Sequence, residues 1–163
     1  MKLTLTALAL LTAVVLAACG GGSNDGNATA STGSTTVSLD NGQLVDSSGA
    51  PLYSSDQEKS GKVACTGGCT SIWLPLAAPG SGQPTAGDGV SGMLGTLKRP
   101  DGSRQVTLDG RPLYRFVQDG SSGKATGNGV TDSFGGRKFT WHAEGSAGSS
   151  SGGGGGGGSN YSY

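Results

Sequence analysis

An internal repeat limits the folds open to this chain more than any other feature of its sequence. Residues 49–53 read Gly-Ala-Pro-Leu-Tyr and residues 110–114 read Gly-Arg-Pro-Leu-Tyr, so one pattern returns 61 positions later. A Ser-Gly-Lys triplet follows in both copies, and Trp73 has a counterpart in Trp141. Self-similarity at a fixed spacing indicates repeated supersecondary units that bury a common core. We therefore predict two degenerate repeats whose Pro-Leu-Tyr strands lie in equivalent environments.

The chain between these landmarks consists of short apolar or alternating runs separated by turn signals. Asp-Gly and Asn-Gly pairs between such runs favour tight hairpins. The clearest hairpin joins the alternating residues 105–108 to residues 112–116 through Asp109 and Gly110. We predict an all-β fold, a small sandwich or incomplete barrel of short antiparallel strands built from the two repeats. The predicted strands are residues 43–46, 51–55, 71–76, 93–98, 104–109, 112–117 and 137–142.

The first eighteen residues have the pattern of a secretion signal. Lys2 provides a positive start, an apolar stretch follows, and small residues precede Cys19. The ending Leu-Ala-Ala-Cys at 16–19 resembles the lipobox of bacterial lipoproteins. That resemblance implies transfer of a diacylglyceryl group to the Cys19 sulfur, cleavage before it, and acylation of the new amine by a chain such as palmitate. An ordinary cleaved signal followed by a chance cysteine is the alternative.

Composition divides the remaining chain into three parts. Residues 19–36 are the lipidated cysteine and a Gly/Ser/Asn/Ala/Thr tether, a composition typical of flexible linkers. Residues 37–144 contain the two repeats and are long enough for one domain with a modest core. Residues 145–163 are rich in glycine and serine and end in Asn-Tyr-Ser-Tyr. We predict a disordered tail there, with the terminal tyrosines as a docking point in the alternative interpretation.

The charge distribution excludes some classes of partner. The chain has eleven basic and eleven acidic side chains and no basic stripe, so nucleic acid is not an expected partner. Without a polybasic cluster, membrane attachment would depend on the lipid at Cys19, because several acyl chains together anchor a protein whereas one binds marginally.

Three sequence elements resemble a family of bacterial lipoproteins described as secreted repeats of unknown function. Residues 114–119 read Tyr-Arg-Phe-Val-Gln-Asp and are similar to the family's motif of Tyr, an aromatic residue and Asp, formed by Tyr114, Phe116 and Asp119. Residues 94–107 resemble its linking strand. Residues 64–76 contain Ala-Cys-Thr-Gly-Gly-Cys and then Trp-Leu-Pro-Leu, which resemble its cysteine and tryptophan elements. The resemblance implies that the protein is located in the cell envelope and shares the fold of the family. It assigns no general activity.

The first repeat departs from the family motif. It begins with Tyr53 and contains Asp56, but Ser55 stands where the aromatic residue belongs and Glu58 stands where the Asp belongs. Leu74 replaces the first proline of the tryptophan element. These departures predict that the first copy has lost part of the role of the motif.

Cys65 and Cys69 are the only other cysteines in the chain. In an exported protein a pair separated by Thr-Gly-Gly favours a structural disulfide, and its expected role is to fix the turn that directs Trp73 into the core. A redox-active or metal-responsive pair is the alternative, although the spacing is not Cys-x-x-Cys and no helix start is predicted nearby.

We predict no catalytic residues, no metal and no cofactor. His142 and Met93 could serve as axial haem ligands, and a protein that binds haem or copper is the alternative to one without a cofactor. The carboxyl groups of Asp56, Glu58 and Asp119 could form a calcium site if the repeats pack symmetrically. The simpler interpretation is that Asp56 and Asp119 bind turn backbone.

The motif aromatics and Trp141 are expected in the core. Taken together, these features predict a lipid-anchored envelope protein that acts without catalysis, as a binding or structural module with a possible envelope protein partner. The alternative is an accessory of extracytoplasmic electron transfer or metal handling that uses Cys65 with Cys69, or His142. Gly20 after Cys19 permits delivery to the outer membrane in a host that has one, and otherwise to the outer face of the cytoplasmic membrane.

Overall fold

A computed structural model describes residues 34–120, 123–145 and 161–162. The predicted signal peptide, Cys19 and most of the predicted tether and tail lie outside these residues. The described strands are β1 (Thr36–Asp40), β2 (Gln43–Asp46), β3 (Tyr53–Ser55), β4 (Trp73–Pro75), β5 (Thr85–Ala86), β6 (Leu94–Lys98), β7 (Arg104–Leu108), β8 (Arg111–Pro112), β9 (Tyr114–Phe116), β10 (Thr131–Phe134), β11 (Arg137–Ala143) and β12 (Tyr161–Ser162). One short helix, α1 (Cys69–Ile72), and a 3-10 turn (Asp56–Glu58) complete the regular structure described.

The strands form three sheets, which confirms the all-β prediction. The largest has the order β12-β10-β11-β3-β9-β4, and its five antiparallel strands from β10 to β4 curl into a half-barrel. β12 adds to its edge in parallel to β10. The smaller sheets have the orders β2-β1-β5 and β6-β7-β8. An incomplete barrel is therefore the architecture that the repeat produces.

Two tight turns close the hairpins of the smaller sheets. Asn41 and Gly42 have φ values of 48° and 82° between β1 and β2, and Asp109 and Gly110 have 49° and 80° between β7 and β8. Two consecutive positive φ angles define a type I′ turn, whose twist suits a two-residue hairpin. The hairpin predicted at Asp109 is thus confirmed. β1, which begins inside the predicted tether, was not predicted as a strand.

The predicted strand 112–117 is wrong in one respect, because it divides at Leu113. Pro112 pairs with Thr107 in the β6-β7-β8 sheet, whereas Tyr114 pairs in the half-barrel. The Leu113 amide donates to Val106 at 3.0 Å, and its carbonyl accepts from Leu76 at 2.9 Å. Leu113 therefore carries the chain from one sheet to the other while both of its backbone groups remain satisfied.

Two other predicted strands are shorter than expected. The segment 71–76 begins as the end of α1 and becomes β4 only at Trp73, whose amide closes the helix by donating to the Cys69 carbonyl. The disulfide turn leads directly into α1, which begins at Cys69. The segment 51–55 enters the half-barrel only at Tyr53, and Pro51 makes an isolated bridge to Val45. β5, β10 and β12 were not predicted.

The core of the described residues consists of two apolar clusters. The aromatic cluster contains Tyr53, Cys65, Cys69, Trp73, Tyr114, Phe116, Phe139 and Trp141. The aliphatic cluster contains Val37, Leu44, Leu52, Leu76, Val106, Leu108 and Leu113. Successive residues of an extended chain point to opposite faces. Each Pro-Leu-Tyr segment therefore places its leucine in the aliphatic cluster and its tyrosine in the aromatic cluster.

The two repeats are related by an approximate twofold arrangement. Tyr53 of β3 lies directly opposite Tyr114 of β9 in antiparallel register. On the outer sides, β11 with Trp141 flanks β3, and β4 with Trp73 flanks β9. The two Pro-Leu-Tyr strands thus occupy equivalent environments, as the repeat predicted.

Candidate functional site

The family motif forms a pair of hydrogen-bonded clasps between the repeats. Tyr53 and Tyr114 are fully buried. The Tyr53 hydroxyl donates to Asp119 Oδ2, and the Tyr114 hydroxyl donates to Glu58 Oε1 at 3.0 Å. Each tyrosine therefore bonds to the acid of the other repeat. We call these two pairs, Tyr53 with Asp119 and Tyr114 with Glu58, the crossed clasps.

Each acid of the crossed clasps also holds the loop that follows it. Glu58 Oε1 accepts from the amides of Ala64 at 2.6 Å and Cys65 at 2.9 Å. Asp119 Oδ1 accepts from the Thr126 amide at 2.9 Å and from its hydroxyl at 2.6 Å. The acids thus bind turn backbone, as expected for Asp119. In the first repeat the residue that does so is Glu58, not Asp56.

Burial keeps both tyrosines in their hydrogen-donating form. Removal from water raises the pKa of the Tyr53 hydroxyl well above its ordinary value of 10, and the bonded Asp119 raises it further. Burial and then the charge of Glu58 likewise raise the pKa of Tyr114. The phenolate form is therefore strongly disfavoured, and these groups act as fixed donors.

The departures of the first repeat keep its clasp intact. Ser55, at the aromatic position, is buried and donates to Glu58 Oε2 at 3.1 Å, so it positions the acid. In the second repeat the equivalent Phe116 stacks on Trp73, with ring centroids 4.4 Å apart. The longer glutamate and the serine therefore work together where the family pattern has an aspartate and an aromatic residue.

A buried carboxyl group links the tryptophans of the two repeats. The Trp73 and Trp141 rings stack with centroids 4.0 Å apart, and their indole N–H groups donate to Asp132 Oδ2 at 2.7 Å and Oδ1 at 3.1 Å. Burial raises the pKa of Asp132. The backbone at Gly127 approaches so closely that a Cβ there would lie 2.8 Å from the Trp73 ring. Sequence reasoning missed Asp132, because nothing in its local pattern distinguishes it from a surface residue.

The disulfide between Cys65 and Cys69 is present and lies within the aromatic cluster. Both cysteines are fully buried, and their Cα atoms are 5.3 Å apart. The Cys65 carbonyl accepts from Arg99 Nη2 at 2.7 Å. Because α1 starts at Cys69 and ends against Trp73, the bridge fixes the turn that brings this tryptophan into the core.

Arg99 is a second residue that sequence reasoning missed. Its guanidinium is buried and donates to Gln105, to the Tyr114 hydroxyl at 3.3 Å and to the Cys65 carbonyl. Gln105 in turn donates to the Leu113 carbonyl at 2.7 Å. One side chain therefore connects the linking segment between the repeats to a crossed clasp and to the disulfide loop.

The remaining candidate ligands are not brought together. His142 on β11 is half-exposed and pairs with Asp56, with 3.1 Å between Nε2 and Oδ1. Lys59 also binds Asp56 and, with His142, lowers its pKa. Met93 is 76% exposed and lies beside β6, on another sheet. Within residues 34–120 and 123–145 no three His, Cys, Asp or Glu side chains are placed to hold a metal ion.

The described surface has an open cleft beside the disulfide loop. It has a volume of about 510 Å³ and lies between that loop and the turn from β10 to β11. Ile72 and Phe134 provide its apolar side chains, and Gly67, Gly68 and Gly135 contribute backbone alone. We call it the disulfide-loop cleft. Its size is that of a small-molecule site, and none of its lining residues belongs to the crossed clasps.

The described part of the chain has no helix long and apolar enough to cross a membrane. Comparison with curated proteins and with solved structures finds no match to this chain. The family comparison does find one, and it spans the linking strand β6, the second Pro-Leu-Tyr segment, the complete motif and Trp141. Residues 95–143 match the model of a family described as a secreted repeat of unknown function, which confirms the family resemblance for this part of the chain.

Proposed function

We propose that this protein is a lipid-anchored module of the cell envelope that acts by binding or structural support and not by catalysis. The observation that carries the proposal is the position of the motif residues in the fold. Tyr114, Phe116 and Asp119 are buried, and the polar atoms of Tyr114 and Asp119 bond to other residues of the same domain. A catalytic or ligand-binding group must be reachable from a concave site. The family motif therefore builds the scaffold.

The placement of the cysteine pair supports this proposal over electron transfer. Reactive cysteines occupy partly exposed, electropositive surroundings, whereas buried bridges are inert. Cys65 and Cys69 are fully buried beside Trp73. His142, the other residue available to the electron-transfer alternative, is occupied by a surface contact with Asp56.

Native intact mass of the exported protein, with and without mild reductant, tests the non-catalytic part. We expect a bare polypeptide whose cysteine pair stays oxidised until the protein is unfolded. A retained haem or metal ion, or a pair that opens in the folded protein, would support the electron-transfer alternative and would make Cys65, Cys69 and His142 the next residues to mutate.

Metabolic labelling with a palmitate analogue tests the lipid anchor. We expect the label and membrane association in the unchanged chain, and loss of both with Cys19→Ala. The matched control is Cys65→Ala with Cys69→Ala, which removes two other sulfurs and should keep the label. Equal labelling of the Cys19→Ala chain would contradict lipidation at that residue, and fractionation of the host envelope would identify the membrane.

A further inference from the structure

The chain contains two Asn-Gly pairs, Asn41 with Gly42 and Asn128 with Gly129. In such a pair the glycine amide nitrogen can attack the asparagine Cγ, because glycine has no side chain to hinder the approach. Both asparagines are exposed, so water reaches the two pairs alike. The pairs differ in how the fold holds their reacting groups.

The pair at Asn128 is tied to β11 by both of its reacting groups. The Gly129 amide donates to the Trp141 carbonyl at 2.8 Å. Asn128 Oδ1 accepts from the Ala143 amide at 3.0 Å. Attack on Cγ requires the glycine nitrogen to lose its proton and the carboxamide to turn toward that nitrogen. Both hydrogen bonds must therefore break before this pair reacts.

The pair at Asn41 lacks these ties. It forms the two central residues of the type I′ turn between β1 and β2. Asn41 Nδ2 donates to Asp40 Oδ1 at 3.0 Å, and Asn41 Oδ1 accepts from no described residue. The Gly42 amide likewise donates to nothing within residues 34–120 and 123–145. Neither reacting group therefore has to leave a hydrogen bond of the kind that holds the other pair.

We propose that Asn41 is a site of spontaneous covalent modification, with water as the co-reactant. The Gly42 nitrogen loses its proton and bonds to Asn41 Cγ, while the Cγ–Nδ2 bond breaks and the leaving nitrogen gains a proton to depart as ammonia. Water then opens the resulting five-membered imide ring. Opening at Cγ gives aspartate, and opening at the backbone carbonyl gives isoaspartate, whose backbone is longer by one carbon.

The two products affect the β1–β2 hairpin differently. Aspartate suits the turn, because Asp109 occupies the same position of the β7–β8 turn with a φ of 49°, against 48° at Asn41. Isoaspartate lengthens a two-residue loop, and loop length fixes the register of a hairpin. The pairing of Asp40 with Gln43 should therefore loosen. β1 is the central strand of its sheet, so the change reaches beyond the turn.

The test is peptide mapping by mass spectrometry after prolonged incubation of the exported protein at neutral pH. We expect Asn41 to be converted about 30-fold faster than Asn128, the factor to which two hydrogen bonds of ordinary net strength correspond. In urea this ratio should fall toward one, because unfolding releases both pairs. A folded protein that keeps the amide of Asn41 for as long as that of Asn128 would overturn the proposal.

Amide exchange tests the consequence for the hairpin. Exchange at Asp40 and Gln43 should rise with the isoaspartate content of the incubated protein, which an isoaspartate-specific methyltransferase measures. The matched control is freshly purified Asn41→Asp, which has the charge of the product on an unlengthened backbone and should keep the exchange rates of the unchanged chain. Exchange raised equally in this variant would overturn the role of isoaspartate in opening the hairpin.

Discussion

The crossed clasps predict a specific pattern of energetic coupling between the repeats. Removal of the Tyr53 hydroxyl by Tyr53→Phe leaves the ring in place but takes a donor from Asp119 and an acceptor from the Gly127 amide, 3.3 Å away. A buried polar group that loses its partner costs about 1–3 kcal/mol. Tyr53 is fully buried and Asp119 is 4% exposed, so solvent does not reduce this figure greatly. We expect a loss of about 2 kcal/mol.

The second perturbation of this cycle is Asp119→Asn, alone and combined with Tyr53→Phe. If the two groups bond, the double variant should lose less than the sum of the single variants, with a coupling of about 1–2 kcal/mol. The companion cycle joins Tyr53→Phe to Glu58→Gln, which lies in the same repeat. Because the clasp of Glu58 is with Tyr114, this cycle should be additive within about 0.5 kcal/mol.

Urea unfolding followed by tryptophan fluorescence is the assay, since Trp73 and Trp141 are both buried and report on the folded core. For a domain of this length, about 2 kcal/mol lowers Tm by roughly 8 °C, so the single variants remain measurable. A larger coupling between Tyr53 and Glu58 than between Tyr53 and Asp119 would refute the crossed clasps.

Three further predictions concern buried groups. Burial holds the Asp132 pKa above its ordinary value of 3.8, so the stability that its protonation provides is complete below pH 3.8 and is lost as the pH rises through the folded pKa. In urea titrations the stability advantage of the unchanged chain over Asp132→Asn should therefore shrink from pH 4 to 7. An advantage that grows over this range would contradict the prediction. Tyr53 and Tyr114, with raised pKa values, should contribute no phenolate absorbance until alkaline unfolding, and stability should fall as the pH rises above 10. Cys65→Ala with Cys69→Ala should cost about 2 kcal/mol for a loop this short, and free thiols should appear in the unchanged protein under mild reductant only after it is denatured.

Local chemistry explains which parts of the fold could be predicted. The type I′ turn at Asp109 and Gly110 needs two positive φ angles, and few residue pairs adopt them, so the pair itself indicates the hairpin. The four-residue spacing of Cys65 and Cys69 similarly brings the two sulfurs within reach through flexible glycines. Features of this kind depend on a few adjacent residues.

Local chemistry also explains why some strands and the helix were not predicted from the sequence. β10 contains Asp132 at a buried position, and a charged side chain there hides the apolar alternation that would otherwise indicate a strand. Leu113 continues an apolar run without any turn residue, so the division between β8 and β9 is invisible in the pattern. α1 is too short to show a helical period.

The sequence by itself determined that this chain is a repeated all-β protein with a disulfide, because the repeat, the turn pairs and the cysteine spacing each act over a few residues. Only the tertiary structure decided that Tyr53 bonds to Asp119 and Tyr114 to Glu58, and that Asp132 joins the two tryptophans. The physical reason is that a sequence pattern specifies which face of a strand a side chain occupies, whereas the identity of its partner depends on the antiparallel packing of two repeats about a shared axis.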